Sequence, residues 1–167
     1  MSDENVCSGV IQRIDRGFEG RLQRVYPHAP EKVWAMLTVP AEFAKWIAPG
    51  TMELRQGGRV HIDFADSGTV IDSNLTAYEP QRVLEYSWSS ADEPERPLRW
   101  ELAAEGEGTR LTLTVFTPEG EDAAKACAGF EGHLDMLAGA LEDVPIKFPF
   151  DHFVAARKAY SEMLGQK

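Results

Sequence analysis

Hydrophobic and polar positions alternate along this chain in three regimes. From Gly17 to Tyr26 the residues Phe18, Leu22, Val25 and Tyr26 are interleaved with Arg and Gln, a β-compatible run that Pro27 ends. This predicts a first strand. Ala29–Leu37 then sets Pro30 and Glu31 in a first helical turn, where a missing N–H costs nothing and the helix dipole favours a carboxylate. Pro40 interrupts that helix and Ala41–Ile47 restarts it until Pro49 and Gly50, so two short helices follow the strand.

The period next falls to two. Met52–Leu54, Arg59–Phe64, Thr69–Tyr78, Arg82–Trp88, Leu98–Ala104 and Thr109–Phe116 alternate or run β-branched. Turn signals separate them: Gly57-Gly58, Asp66-Ser67-Gly68, Glu79-Pro80, the acidic stretch Ala91–Pro97, and Gly106-Glu107-Gly108. Leu98, Trp100 and Leu102 share one face against Arg99 and Glu101, and Leu111, Leu113 and Val115 oppose Thr112 and Thr114, which reads as an antiparallel meander. After Pro118 the period turns helical. Cys127, Phe130, Leu134, Leu137 and Leu141 step by three and four, an apolar stripe that needs the sheet as its partner. Asp143-Val144-Pro145 ends this helix, and Phe150–Leu164 predicts another.

The expected fold is α+β: a curved antiparallel sheet of about six or seven strands wrapped around a long C-terminal helix, with two short helices after the first strand. Residues 18–143 form this domain, 1–17 an N-terminal extension, and 144–167 a helical C-terminal extension that caps the cavity mouth or enters a dimer contact. Such a sheet leaves an elongated cavity against its helix, where small ligands sit.

Composition narrows the function. Seventeen basic against 27 acidic residues give a net charge of −10, which repels phosphate backbones, and Asp15 and Glu19 break up the arginines at 13, 16, 21 and 24. No nucleic-acid partner is expected. The acidic start Met1-Ser2-Asp3-Glu4-Asn5 lacks an apolar signal region and no run of 18 apolar residues occurs, so a cytoplasmic protein without a membrane span is expected. Two cysteines far apart in sequence, Cys7 in a loose terminus and Cys127 in the core stripe, predict free thiols and neither zinc site nor disulfide.

A Gly-rich phosphate loop, His-Glu-x-x-His and Gly-x-Ser-x-Gly are all absent, so no catalytic residue, metal ligand or cofactor is assigned. Asp72, Glu85 and Glu101 fall on strand faces opposite the apolar ones, and His61 shares such a face with Asp63; all four read as solvent-facing. His28 and His152 lie in loop-like sequence and receive no role. His133 lies one position from the leucine stripe, beside Gly129, Met136 and Ala140, a strip suited to lining a cavity. An ordinary boundary histidine would read the same way. Tyr86 and Trp88 share a strand face and Trp100 sits on a neighbouring segment. The pocket candidates are Trp46, Phe64, Tyr86, Trp88, Trp100, Phe116, Phe130, His133 and Met136, although packing alone accounts for many aromatics in a domain of this size.

Six local strings occur in order between about residues 18 and 143. They are Ala29-Pro30-Glu31-Lys32-Val33-Trp34; Leu37-Thr38-Val39-Pro40 leading to Lys45-Trp46; Gly57-Gly58-Arg59; Tyr78 through Trp88; Gly108-Thr109-Arg110-Leu111-Thr112-Leu113; and Gly129-Phe130. In these the chain resembles the START-like, helix-grip (SRPBCC) superfamily, and within it the group similar to the C-terminal domain of the activator of heat-shock-protein-90 ATPase. The resemblance implies the helix-grip fold. For function it implies a range, from lipid and hormone carriers through cyclase components and dehydratase-like enzymes to chaperone-associated domains. The co-chaperone behind the group's name carries an additional N-terminal domain for which 167 residues leave no room. The first expectation is therefore a non-enzymatic module binding a small hydrophobic molecule, with polar contacts from His133, Tyr86 and the tryptophan N–H groups. The second is a domain docking on a chaperone or other protein partner, and the third an acid–base enzyme on a hydrophobic substrate. The resemblance also makes a homodimer an expectation.

Overall fold

Period-two alternation decides which strand faces meet the long helix. The structure, a computed structural model, describes residues 7–64, 67–90 and 92–165. Strands β1 (Gly9–Ile14) and β2 (Gly17–Tyr26) lead into helices α1 (Pro30–Thr38) and α2 (Pro40–Phe43). Six strands follow: β3 (Gly50–Met52), β4 (Arg59–Phe64), β5 (Thr69–Glu79), β6 (Val83–Ser87), β7 (Pro97–Glu105) and β8 (Gly108–Pro118). Helices α3 (Ala123–Leu141) and α4 (Phe150–Met163) close the order. Asp66, Ala91, and residues 1–6 and 166–167 of the two extensions lie outside the described residues.

The strands form one antiparallel sheet in the order β1-β2-β8-β7-β6-β5-β4-β3. β5 pairs with β4 through Thr69–Asn74 and with β6 through Leu75–Glu79, and the register shifts between Leu75 and Ala77. Such a shift bends the strand and sharpens its twist, which adds to the curvature of the sheet. Leu22 and Tyr26 of β2, Leu84 and Tyr86 of β6, Leu98 and Trp100 of β7, and Leu111 and Leu113 of β8 point inward. They meet Cys127, Leu134, Leu137 and Leu141 of α3 in one core. A Cβ at Gly20 of β2 would collide with the Cys127 sulfur, so this glycine sets how closely α3 approaches the sheet. Asp122 caps α3, its Oδ1 accepting the Lys125 N–H at 3.0 Å.

Several expectations need correction. The segment before Gly17 carries β1, an edge strand in register with β2 from Gly9↔Leu22 to Ile14↔Gly17. Cys7 is not loose: it packs against the core with its Sγ 3.8 Å from the Ala156 carbonyl oxygen. Helix α2 ends at Phe43, and the turn over residues 44–47 that follows carries Trp46 into the core. β3 covers Gly50–Met52 rather than Met52–Leu54. Beyond α3 the chain runs back along it. A Cβ on Gly132 would lie 2.5 Å from the Phe148 ring, and one on Gly139 would lie 2.5 Å from the Val144 carbonyl oxygen, so both glycines admit this return segment. Helix α4 then buries Ala156 and Tyr160 in the same core.

Candidate ligand-binding site

A cavity of about 560 Å³ is lined by the sheet and by the first half of α3. Leu98 and Val115 form its floor, Phe64 and Trp88 one wall, and Ala126, Gly129, Phe130 and His133 of α3 the other, with Phe116 of β8 and Phe153 of α4 also in the lining. Phe64 meets Trp88 edge-on at 5.9 Å between centroids, and Trp88 meets Phe130 at 5.3 Å. This size and mostly apolar lining suit a compact organic molecule.

Three of the charged groups in the lining are paired. Arg96 donates to both carboxylate oxygens of Glu121 at 2.8 and 2.9 Å, and Asp122 caps α3 while accepting from Arg157 at 2.6 Å. His133 differs. Its Nδ1 lies 2.9 Å from the Trp46 carbonyl oxygen, which can only accept, so Nδ1 carries the proton and Nε2 keeps its lone pair. Burial holds the His133 pKa below the ordinary imidazole value of 6.5, more than the Trp46 carbonyl raises it. The ring is thus a neutral hydrogen-bond acceptor on the wall of an apolar cavity.

Of the nine sequence-derived pocket candidates, Phe64, Trp88, Phe116, Phe130 and His133 come together in this lining. Trp46, Tyr86 and Trp100 are fully buried outside it. Trp46 packs edge-on against Phe43 and Trp100 and donates Nε1–H to the Met36 carbonyl oxygen at 2.8 Å. Met136 is partly buried against the core, away from the lining. Asp72 pairs with Arg59, and Glu85 and Glu101 with Arg99, on the outer face of the sheet. His28 lies 2.5 Å from Glu142, and His152 equally close to Asp135.

Sequence reasoning missed a second polar cluster, on the opposite flank of α3. Glu131, with no exposed surface, accepts from the Ser8 N–H at 2.5 Å, the Ser8 hydroxyl at 2.6 Å, Arg24 Nη2 at 2.7 Å and the Tyr160 hydroxyl at 2.5 Å. Arg24 Nη1 donates to Asp135 at 2.6 Å. Burial first, and the Glu131 charge second, push the thiols of Cys7 and Cys127 up to about 11 and about 12, so both are protonated at neutral pH. The sequence did hold a signal: Arg24 stands in the inward alternation Leu22-Arg24-Tyr26, and Glu131 lies four residues after Cys127 and three before Leu134, inside the stripe.

Among the described residues no group of three His, Cys, Asp or Glu side chains could hold a metal ion, and no helix is long and apolar enough to cross a membrane.

Residues 27–142 match the family model described as Activator of Hsp90 ATPase homolog 1-like protein. No curated protein matches the sequence. Among solved structures, CalU16 from Micromonospora echinospora is 21% identical, with 94% of this chain and 96% of that chain covered and a TM-score of 0.77, a likeness of fold alone. A protein from Bordetella parapertussis is 27% identical over 98% of this chain and 94% of its own, with a TM-score of 0.69. DynU16, a protein in the dynemicin biosynthetic locus, is 28% identical over 76% of this chain and 48% of its own, with a TM-score of 0.67.

Proposed function

The chain belongs to the family of Activator of Hsp90 ATPase homolog 1-like proteins, and from that premise we propose that it binds a small, largely apolar ligand between the sheet and α3. The observation that carries this reading is a 560 Å³ aromatic-walled cavity that includes His133, a neutral acceptor whose Nδ1 is already spent on the Trp46 carbonyl. Apolar burial supplies the affinity, and one hydrogen bond from a ligand hydroxyl to Nε2 supplies orientation. The likeness to DynU16, which belongs to a biosynthetic locus, supports a small molecule as the partner.

Two other readings compete. An acid–base enzyme needs a titratable group in the cavity with a displaced pKa, and His133 meets that condition. It also needs an opposing acid or base: the nearby carboxylates of Glu121 and Asp122 are held by Arg96, Arg157 and the helix cap, and exposed Lys125 at the start of α3 is the other ionisable side chain of the lining. A protein-docking domain would use exposed apolar surface, and Phe150 (69% exposed) and Val154 (64%) stand one turn apart on α4. That reading predicts partner binding indifferent to the cavity residues.

Fluorescence titration with the three-ring probes 2-hydroxyanthracene and anthracene tests the proposal. The hydroxyl should improve affinity about tenfold, the worth of one good hydrogen bond. Replacing His133 by Leu should remove that preference and, because the Trp46 carbonyl loses its donor, cost about 1 kcal/mol of stability. Failure of both probes to bind, or a preference untouched in His133→Leu, overturns the reading.

A further inference from the structure

Two buried donors stand without partners directly behind the cavity wall. The Tyr86 hydroxyl and the Trp100 Nε1–H have no hydrogen bond of normal geometry, and both side chains are fully buried. Each is an anomaly, because a buried polar atom left unpaired forfeits the hydration it lost on folding. Apart from one another, the rings packed against them offer no acceptor. Tyr86 pairs across the sheet with Leu98 of the cavity floor and stacks at 6.2 Å with Trp88 of its wall. Trp100 packs edge-on against Phe130, the facing wall residue, at 6.3 Å and against Trp46 at 5.7 Å. The indole N–H lies near enough to the phenol oxygen to counter part of the burial-driven rise in the Tyr86 pKa. Even where the phenol oxygen takes the indole proton weakly, the phenol's own proton still lacks an acceptor.

We propose that Tyr86 and Trp100 form a deep subsite for a carbonyl-type acceptor on the ligand, reached when the Trp88–Phe130 ring pair parts. The inference rests on the cavity reading above and narrows it to a class: polycyclic, flat molecules carrying both a hydroxyl, for His133, and a carbonyl oxygen, for the two donors. The phenol oxygen can itself accept, so what the pair lacks is a taker for its protons, and an oxygen with free lone pairs and no proton of its own meets that need. The ring pair suits a moving wall. Trp88 follows the last ladder residue of β6 in a bend; its backbone is held by Arg96, whose carbonyl oxygen accepts the Trp88 N–H at 2.8 Å, but its ring meets Phe64, Tyr86 and Phe130 through edge and tilted contacts with no hydrogen bond, so the ring can turn while the backbone stays.

Matched probes separate this from the parent reading. Affinities of 2-hydroxyanthraquinone and 2-hydroxyfluorenone are compared with those of their carbonyl-free parents, 2-hydroxyanthracene and 2-hydroxyfluorene, in the wild-type protein and in Tyr86→Phe. The carbonyl compounds should bind about tenfold tighter in the wild type, and that ratio should fall to near one in Tyr86→Phe. The melting temperature of ligand-free Tyr86→Phe should equal or exceed that of the wild type, since the ring stays and an unpaired hydroxyl leaves. A wild-type ratio near one, with binding of the parents still dependent on His133, overturns the subsite and leaves the cavity reading standing. Failure of all four probes overturns both. A drop of several degrees in Tyr86→Phe also overturns the subsite, because it shows the hydroxyl already satisfied inside the protein.

Discussion

His133 donates from Nδ1 to Trp46 and keeps Nε2 open, so its protonation state governs what the cavity accepts. Its native pKa lies below 6.5 because burial disfavours the cation. The unfolded chain therefore takes up this proton first as pH falls. The stabilisation from a neutral His133 is complete above pH 6.5 and is lost as pH drops through the lowered native value. Binding follows the same sign, since a protonated Nε2 can only donate. Affinity for 2-hydroxyanthracene should hold level above pH 6.5 and weaken below it, whereas the weaker binding of His133→Leu should stay flat over the same range; parallel pH profiles would contradict this. His133 was legible in the sequence as a polar position beside an apolar stripe. Glu131 was harder to read, because a single acid within that stripe reads as a gap until Arg24, Ser8 and Tyr160 are seen around it.

The long helix α3 uses its glycines in two ways. Gly132 and Gly139 lie against Phe148 and Val144, where a methyl group would collide. Gly129 has nothing within 4 Å of its would-be Cβ and lines the cavity, so a side chain there projects into empty space. Gly129→Ala should stabilise the protein by about 1 kcal/mol, the ordinary helix-interior gain over glycine. Gly129→Leu should keep the fold and abolish probe binding, read by thermal melting and titration together. Tight binding by Gly129→Leu would move the ligand elsewhere. At this scale the sequence was a good guide where a period was long and regular, as in α3, β7 and β8. It missed β1, a six-residue edge strand in which only Ile11 is buried, because one apolar contact makes no period.

Glu131 connects parts of the molecule distant in sequence: the entry to β1 through Ser8, β2 through Arg24, and α4 through Tyr160, all held to α3 by one carboxylate. Ser8, Arg24 and Tyr160 lie outside residues 27–142, the stretch that the family model matches, so this cluster fastens both flanking segments to the family core. Glu131→Ala strands the buried Tyr160 hydroxyl and the half-buried Arg24 and Ser8 donors and should cost about 3 kcal/mol in urea unfolding. Amide exchange should quicken in 8–14 and 150–160 ahead of β7 and β8, and uniform loosening would argue against a local fastening role. Periodicity and turn residues determined the element order, the antiparallel sheet, the gripping helix and the aromatic supply of the core, because those signals act between near neighbours and recur along a strand or helix. The tertiary structure alone decided that five of the nine pocket candidates line a cavity, that Tyr86 and Trp100 lack partners, and that Glu131 is a hub. Each of these depends on which side chains meet across elements, and a hydrogen bond between residues more than a hundred positions apart leaves no local pattern to read.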